Sequence, residues 1–228
     1  MKQSDIDSLD VQNITRFDRT KHETEAFALL AVLVAGKNAK VQQEKLKEFL
    51  QVTLSLGDLM GPFDYVRYLD ASKGWLLERM KQHGLGQYRR LERCFRELVE
   101  LDARVGLHNC HAADLEEVHG IGPKTARFFL LHSRPNQRLA VLDTHILAWL
   151  KTVKKCKNVP KVTPSSGARY RLWETRFLYF CDRLGKTPAQ LDLEIWNQRS
   201  KNGNAYNTVQ TKKKRVQRRN RLTRITAD

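Results

Sequence analysis

An all-α fold, a helical bundle in two lobes, follows from three features of the 228-residue chain. Apolar residues recur at intervals of three and four in segment after segment, and no run of alternating apolar and polar residues marks a strand. Helix starts carry capping chemistry: Thr187-Pro188-Ala189-Gln190 lines up a cap, a first-turn proline and a capping-box partner. The breaks between segments are glycine and proline, as at Gly36, Gly61-Pro62 and Gly84-Leu85-Gly86.

In chain order, residues 1–22 are polar and are expected to be weakly ordered or packed at the periphery. Glu23 to Ala35 is apolar on nearly all sides, as a helix at the centre of a core should be. It stops at Gly36, before Lys37-Asn38-Ala39. Leu46, Phe49, Leu50 and Thr53 mark the inner face of the next helix, and Asp64 to Leu69 starts another helical segment after Gly61-Pro62. The turn His83-Gly84-Leu85-Gly86-Gln87 precedes a helix with Tyr88, Leu91, Phe95, Leu98 and Val99 on one face. Beyond residue 150, a basic stretch with Pro160 and Pro164 reads as a surface loop. Two helices close the bundle, one facing inward with Trp173, Phe177, Phe180, Cys181 and Leu184, the other carrying Leu191, Leu193, Ile195 and Trp196. Phe63, Trp149, Trp173 and Phe177 have two readings, as the lining of a pocket and, more often for such residues, as simple core. The expected organisation is a helical lobe over 23–138, a second lobe from 1–22 plus 139–199, and a basic, disordered tail over 200–228.

The most informative stretch runs from Leu115 to Leu150. It opens with a short helix from about Asp114 to Val118, whose Asp114 and Glu117 have capping-box spacing. A tight Gly120-Ile121-Gly122 turn follows, and then a helix from Pro123 to about His132 that buries Ala126, Phe129 and Leu130. This helix-hairpin-helix unit aims backbone N–H groups outward at the positive end of a helix, a ready anion site. Lys124 stands in the first turn, where helix electrostatics favours anions rather than cations. Taken alone, such a lysine is a solvated surface group. Nineteen residues on, Asp143 opens Asp143-Thr144-His145 at a helix N-cap, which taken alone is a capping role.

Charge names the class of partner. The formal net charge is +16, and Lys212 to Arg224 holds eight lysines and arginines with no acid, so half of the net charge lies in the tail. A polyanion is the expected partner. The polar start MKQSDIDSLD and a longest apolar run of ten residues, Ala26 to Ala35, predict neither a signal peptide nor a membrane span. Four scattered cysteines, Cys94, Cys110, Cys156 and Cys181, predict reduced thiols rather than a disulfide framework or zinc site. The expected location is cytoplasmic and nucleoid-associated, or nuclear if the source is eukaryotic.

Gly120-Ile121-Gly122-Pro123-Lys124-Thr125-Ala126, followed at this interval by Leu142-Asp143-Thr144-His145, resembles the helix-hairpin-helix GPD superfamily of DNA glycosylases. That superfamily includes endonuclease III and the 8-oxoguanine glycosylases. The resemblance is firm over residues 84–150, weaker over 23–83 and absent in the tail. Only Cys156 and Cys181 follow Asp143, so the four closely spaced cysteines of an iron–sulfur cluster are missing. The nearer comparison is therefore to the cluster-free branches, and no cofactor is expected.

The resemblance implies base-excision repair chemistry on double-stranded DNA containing a damaged or modified base, by a monomeric enzyme. The target nucleotide is flipped from the stack. Lys124 attacks the sugar, Asp143 stabilises developing positive charge and assists proton transfer, and the resulting Schiff base permits strand nicking. It further implies DNA contacts at Gly120, Ile121 and Gly122, with the amides of Gly120, Gly122 and Lys124 holding a phosphate, and carbonyls near Val118 and Gly120 holding a monovalent cation, with no side-chain metal ligands. Lys37 and Asn38 have two readings, a probe of the base stack or a helix terminus with a solvated lysine. Gly86, Gln87 and Arg89 likewise read as DNA-backbone contacts or as a plain loop. Two other functions share the motif: an accessory or viral enzyme acting on modified bases, and a non-catalytic DNA-binding module. A clamp alone needs neither Lys124 nor Asp143, which separates the last from the other two.

Overall fold

The computed structural model describes residues 2–55, 60–165 and 167–199. The described residues are helical and contain no strand. The helices are α1 (Gln3–Asp7), α2 (Lys21–Leu33), α3 (Ala39–Leu50), α4 (Val52–Ser55), α5 (Pro62–Ala71), α6 (Trp75–Gln82), α7 (Tyr88–Arg104), α8 (Ala112–Glu117), α9 (Pro123–Ser133), α10 (Thr144–Thr152) and α11 (Gly167–Leu184). A last helix, α12, covers 188–199. The tail from residue 200 onward lies outside the described residues.

α2 is the axis of the larger core. Thr20 starts it through a reciprocal cap: its hydroxyl accepts from the Glu23 N–H while Glu23 accepts from the Thr20 N–H. Every residue from Glu23 to Leu33 is buried, because α1, α3, α5, α7 and α9 all pack against it. Two carboxylates are buried with them. Glu25 accepts from the Phe63 N–H at the start of α5 and sits beside Lys21, and burial pushes its pKa up to about 7. Phe27 meets Phe128 and Phe129 of α9, each at a centroid distance of 5.8 Å, which fixes the hairpin's second helix on the axis.

The smaller core gathers Ala140, Leu142, Ile146, Leu147, Trp149, Leu150, Tyr170, Trp173, Phe177, Cys181, Leu191 and Ile195. Leu131, Val141 and Ala189 form a third, small cluster with Phe128 packed against it. Phe63, Trp149, Trp173 and Phe177 are core side chains, the commoner of their two readings. The N-terminal segment departs from that reading. Ile6, Leu9, Val11 and Ile14 are buried in the larger cluster, so a segment expected to be weakly ordered or packed at the periphery contributes side chains to the core. Four apolar side chains within nine positions account for it, although polar neighbours hide their pattern.

Candidate active site

The hairpin is built much as its residues dictate. Asp114 is not the cap of α8 but its third residue: the N-cap is His111, whose N–H donates to the Asp114 carboxylate at 2.6 Å. The turn closes with the Ile121 N–H donating to the Val118 carbonyl at 3.0 Å. Ile121 itself is buried against Leu115, Ala126 and Phe129, so its side chain anchors the turn and is not available to a partner. α7 grips the hairpin from both sides. Arg90 donates from Nη1 to the Gly120 carbonyl at 2.8 Å, and Glu97 accepts from the His119 N–H.

The two glycines are there for different reasons. Gly120 has φ +84°, a conformation that only glycine adopts without strain, and a β-carbon there would lie 2.8 Å from Arg90 Nη1. Gly122, the N-cap of α9, has φ −100° and ψ 178°, ordinary extended backbone, and a β-carbon would meet nothing within 4 Å. The protein's own packing does not require glycine at 122. The open space outside it suits close approach by another molecule. Among the described residues the N–H groups of Gly120 and Gly122 have no protein acceptor, and the first N–H groups of α9 lack intrahelical partners by the geometry of a helix start.

Asp143 is brought to this end of α9 by the linker 140–142, in which the Val141 carbonyl accepts from the Asp143 N–H at 2.7 Å and side chains hold the backbone groups of Ala140 and Leu142. Glu174 accepts from the Ala140 N–H at 2.9 Å, and Tyr170 Oη donates to the Ala140 carbonyl at 2.7 Å while accepting from the Leu142 N–H at 3.0 Å. Thr163 donates to the Leu142 carbonyl at 2.8 Å. Both Tyr170 and Glu174 are in turn tied to α9. Arg127 Nε donates to Glu174 at 2.9 Å, its Nη1 to Glu116 of α8 at 2.6 Å, and its guanidinium lies 4.6 Å from the centre of the Tyr170 ring. One arginine on the helix of Lys124 therefore sets the position of the linker that carries Asp143.

Asp143 caps α10, with Oδ1 accepting from the His145 and Ile146 N–H groups at 2.8 Å each. Its pKa is raised above the ordinary carboxylate value. Burial is the main cause and the negative charge of Asp192 adds to it, while the Ile146 N–H, Lys124 and His145 act the other way. Lys124, nineteen residues earlier in the chain, is near enough for its positive charge to oppose that rise. Lys124 is half-buried, as is Asp143.

Asp192 belongs to this neighbourhood and was not singled out from the sequence. It is 7 % exposed and accepts from, or shares a proton with, His132 Nε2 at 3.2 Å; His132 is fully buried and pairs through Nδ1 with the Thr15 hydroxyl at 2.8 Å. Forty-nine positions beyond Asp143, on a helix that also carries Glu194, an aspartate gives no sign of its fate. Only the packing of α12 onto α9 brings it in.

Of the remaining residues expected at a DNA surface, Lys37 and Gln87 are tied to the turn before α7, whereas Asn38 caps a helix and Arg89 is exposed. Lys37 Nζ donates to the Leu85 carbonyl at 2.7 Å and lies 3.5 Å from where a β-carbon of Gly86 would stand. Partial burial and the neighbouring Arg90 and Lys45 push its pKa down. Asn38 caps α3 by accepting from the Val41 N–H at 3.1 Å. Gln87, at φ 49° before α7, accepts from Arg90 Nε at 2.7 Å. Arg89 is exposed in the first turn of α7. Arg90, given no role in the sequence reading, is the residue that joins this turn to the hairpin. The cysteines are free; burial pushes the Cys94 and Cys181 thiols up to about 12, which keeps them protonated and unreactive.

This helical architecture has known counterparts. No protein-family model and no curated protein matches the sequence. Among solved structures, the 8-oxoguanine DNA glycosylase of Methanocaldococcus jannaschii is similar, with a TM-score of 0.57 and 21 % identity over 86 % of this chain and 87 % of that one. The same enzyme, as the glycosylase/lyase in complex with a 15mer DNA containing 8-oxoguanine, gives a TM-score of 0.56 at 20 % identity, covering 86 % and 88 % of the two chains. The 8-oxoguanine DNA glycosylase of Thermotoga maritima gives 0.57 at 21 % identity, covering 81 % and 84 %. The chain has the fold of these glycosylases.

Proposed function

We propose that the protein is a DNA glycosylase with AP-lyase activity that excises a damaged or modified base from duplex DNA. One observation carries the reading: in a chain with the fold of the 8-oxoguanine DNA glycosylases, Lys124 stands in the first turn of the hairpin's second helix, within electrostatic reach of Asp143, a partly buried carboxylate that caps α10. Other features agree with it. Gly122 leaves open space at the helix start, Lys37, Lys45 and Arg90 gather positive charge beside the hairpin, and the chain carries a formal charge of +16.

In this reading the Gly120 and Gly122 amides, with the first amides of α9, hold a phosphate of the damaged strand. Lys124 Nζ, as the free amine, forms a bond to the sugar C1′ while the glycosidic bond breaks and its electron pair leaves with the base. Asp143, as carboxylate, stabilises the positive charge that develops on the sugar. Its raised pKa then suits it to take the proton released from Nζ and return it to the opening ring oxygen. The imine that results, once protonated, acidifies the C2′ hydrogen. Loss of that proton expels the 3′ phosphate and nicks the strand.

Because the similar solved structures are 8-oxoguanine enzymes, an 8-oxoguanine:cytosine duplex is the first substrate to try, within a panel of duplexes each carrying one modified base. Nicking of at least one such duplex by wild type, lost in Lys124→Gln, is the expected result. A protein that binds all of these duplexes and nicks none is a binding module, and the enzymatic reading is then wrong.

A further inference from the structure

We propose that Arg90 is the resident cation of the hairpin, holding by its guanidinium the turn that a bound monovalent metal ion would otherwise have to fix. The argument starts from the carbonyl groups. A cation held at Val118 and Gly120 needs both oxygens turned to it. The Val118 carbonyl accepts from the Ile121 N–H at 3.0 Å, and the Gly120 carbonyl accepts from Arg90 Nη1 at 2.8 Å. An ion on the Gly120 oxygen would touch a guanidinium of its own sign. The residues present therefore do not fit a metal ion at the Gly120 carbonyl, and the charge that it would attract is already covalently part of the chain.

Arg90 is also held from every nitrogen. Nε donates to Gln87 Oε1 at 2.7 Å, Nη1 to Gly120, and Nη2 faces the Val32 carbonyl at 3.5 Å. That carbonyl belongs to the last turn of α2, the negative end of the central helix. One side chain thus links the core axis, the turn before α7 and the hairpin. The planar fork suits three acceptors in different directions, which an ammonium cannot reproduce. Gly120 is part of the same fit, since a β-carbon there would occupy the space of the Arg90 side chain. The exposed N–H groups of Gly120 and Gly122 are then aimed by a fixed positive charge behind them. Gln87, expected from the sequence as a backbone contact, is used to orient Arg90.

The proposal rests on the hairpin facing DNA, and its test separates the two. Full-length wild type, Arg90→Gln and Arg90→Lys are compared for binding to a duplex carrying one tetrahydrofuran abasic analogue, at equal ionic strength in potassium chloride or tetramethylammonium chloride. Wild type should bind equally well in both salts. Arg90→Gln should bind about 10- to 100-fold more weakly, the size of one charge-assisted hydrogen bond. Arg90→Lys should recover only part of the loss, because it restores charge but not the fork. Without DNA, the Gly120 and Gly122 amide resonances of wild type should not move when potassium replaces tetramethylammonium. A saturable potassium-induced shift in wild type, or wild-type affinity in a folded Arg90→Gln protein, would overturn the proposal. If wild type binds no duplex at all, the DNA reading fails, and the potassium-independent resonances still test the anchoring role by themselves.

Discussion

Asp143 has two tasks, and single substitutions separate them. As the N-cap of α10 it needs only an oxygen acceptor, which asparagine supplies. As a partner for cationic sugar it needs charge. Asp143→Asn should therefore melt close to wild type yet release base slower by orders of magnitude in single turnover, whereas Asp143→Ala should in addition lose about 1 kcal/mol of stability with the cap. Near-normal turnover by the asparagine variant would leave capping as the sole role. The environment of this carboxylate gives a pH prediction. Asp192 raises its pKa, so the active carboxylate form is lost at a higher pH than it would otherwise be. Asp192→Asn should move the acid limb of the base-release profile to lower pH; an unmoved or upward-moved limb would remove Asp192 from the site. At this scale the sequence was half legible. Lys124 and Asp143 stand beside a recognisable turn and a cap, whereas Asp192, His132 and Arg90 look like ordinary helix residues until distant segments meet.

Among the elements, the hairpin was readable because its chemistry is local: two glycines, a proline and an inward isoleucine decide its course within seven residues. Elements without such local marks were not. α6 begins after Gly74 at φ +85° with no capping side chain, so nothing in the sequence announces it. The linker 140–142 is read only through its partners, since a buried segment outside a helix must have most of its backbone groups satisfied from elsewhere. That dependence is testable. Tyr170→Phe leaves the Ala140 carbonyl and the Leu142 N–H without their partner. Thermal unfolding should report a loss of about 1–3 kcal/mol, the cost of unsatisfied buried groups. Base release should fall as well, because the linker places Asp143. Unchanged stability would mean that Glu174 and Thr163 hold the linker without the tyrosine.

For the whole molecule, the sequence reading of an all-α fold agrees with the helices described, and the core aromatics fall where expected. The N-terminal segment was misjudged because burial of Ile6, Leu9, Val11 and Ile14 depends on the surface that α2 and α3 offer, which no local pattern reveals. The basic run Lys212 to Arg224 lies outside the described residues, and charge alone supports a prediction for it. With about half of its eight cations on phosphates, deleting it should weaken binding to all duplexes alike and reduce the slope of log affinity against log salt by about 3 to 5. An unaltered slope would show that the tail does not contact DNA. The central claim, that Lys124 is the nucleophile of a glycosylase, is tested most directly by borohydride reduction during turnover on the duplex that the panel identifies, followed by mass mapping of the adduct. The account predicts one covalent protein–DNA species, attached at Lys124 and absent from Lys124→Gln. An adduct on another residue, or equal trapping of the variant, would contradict it.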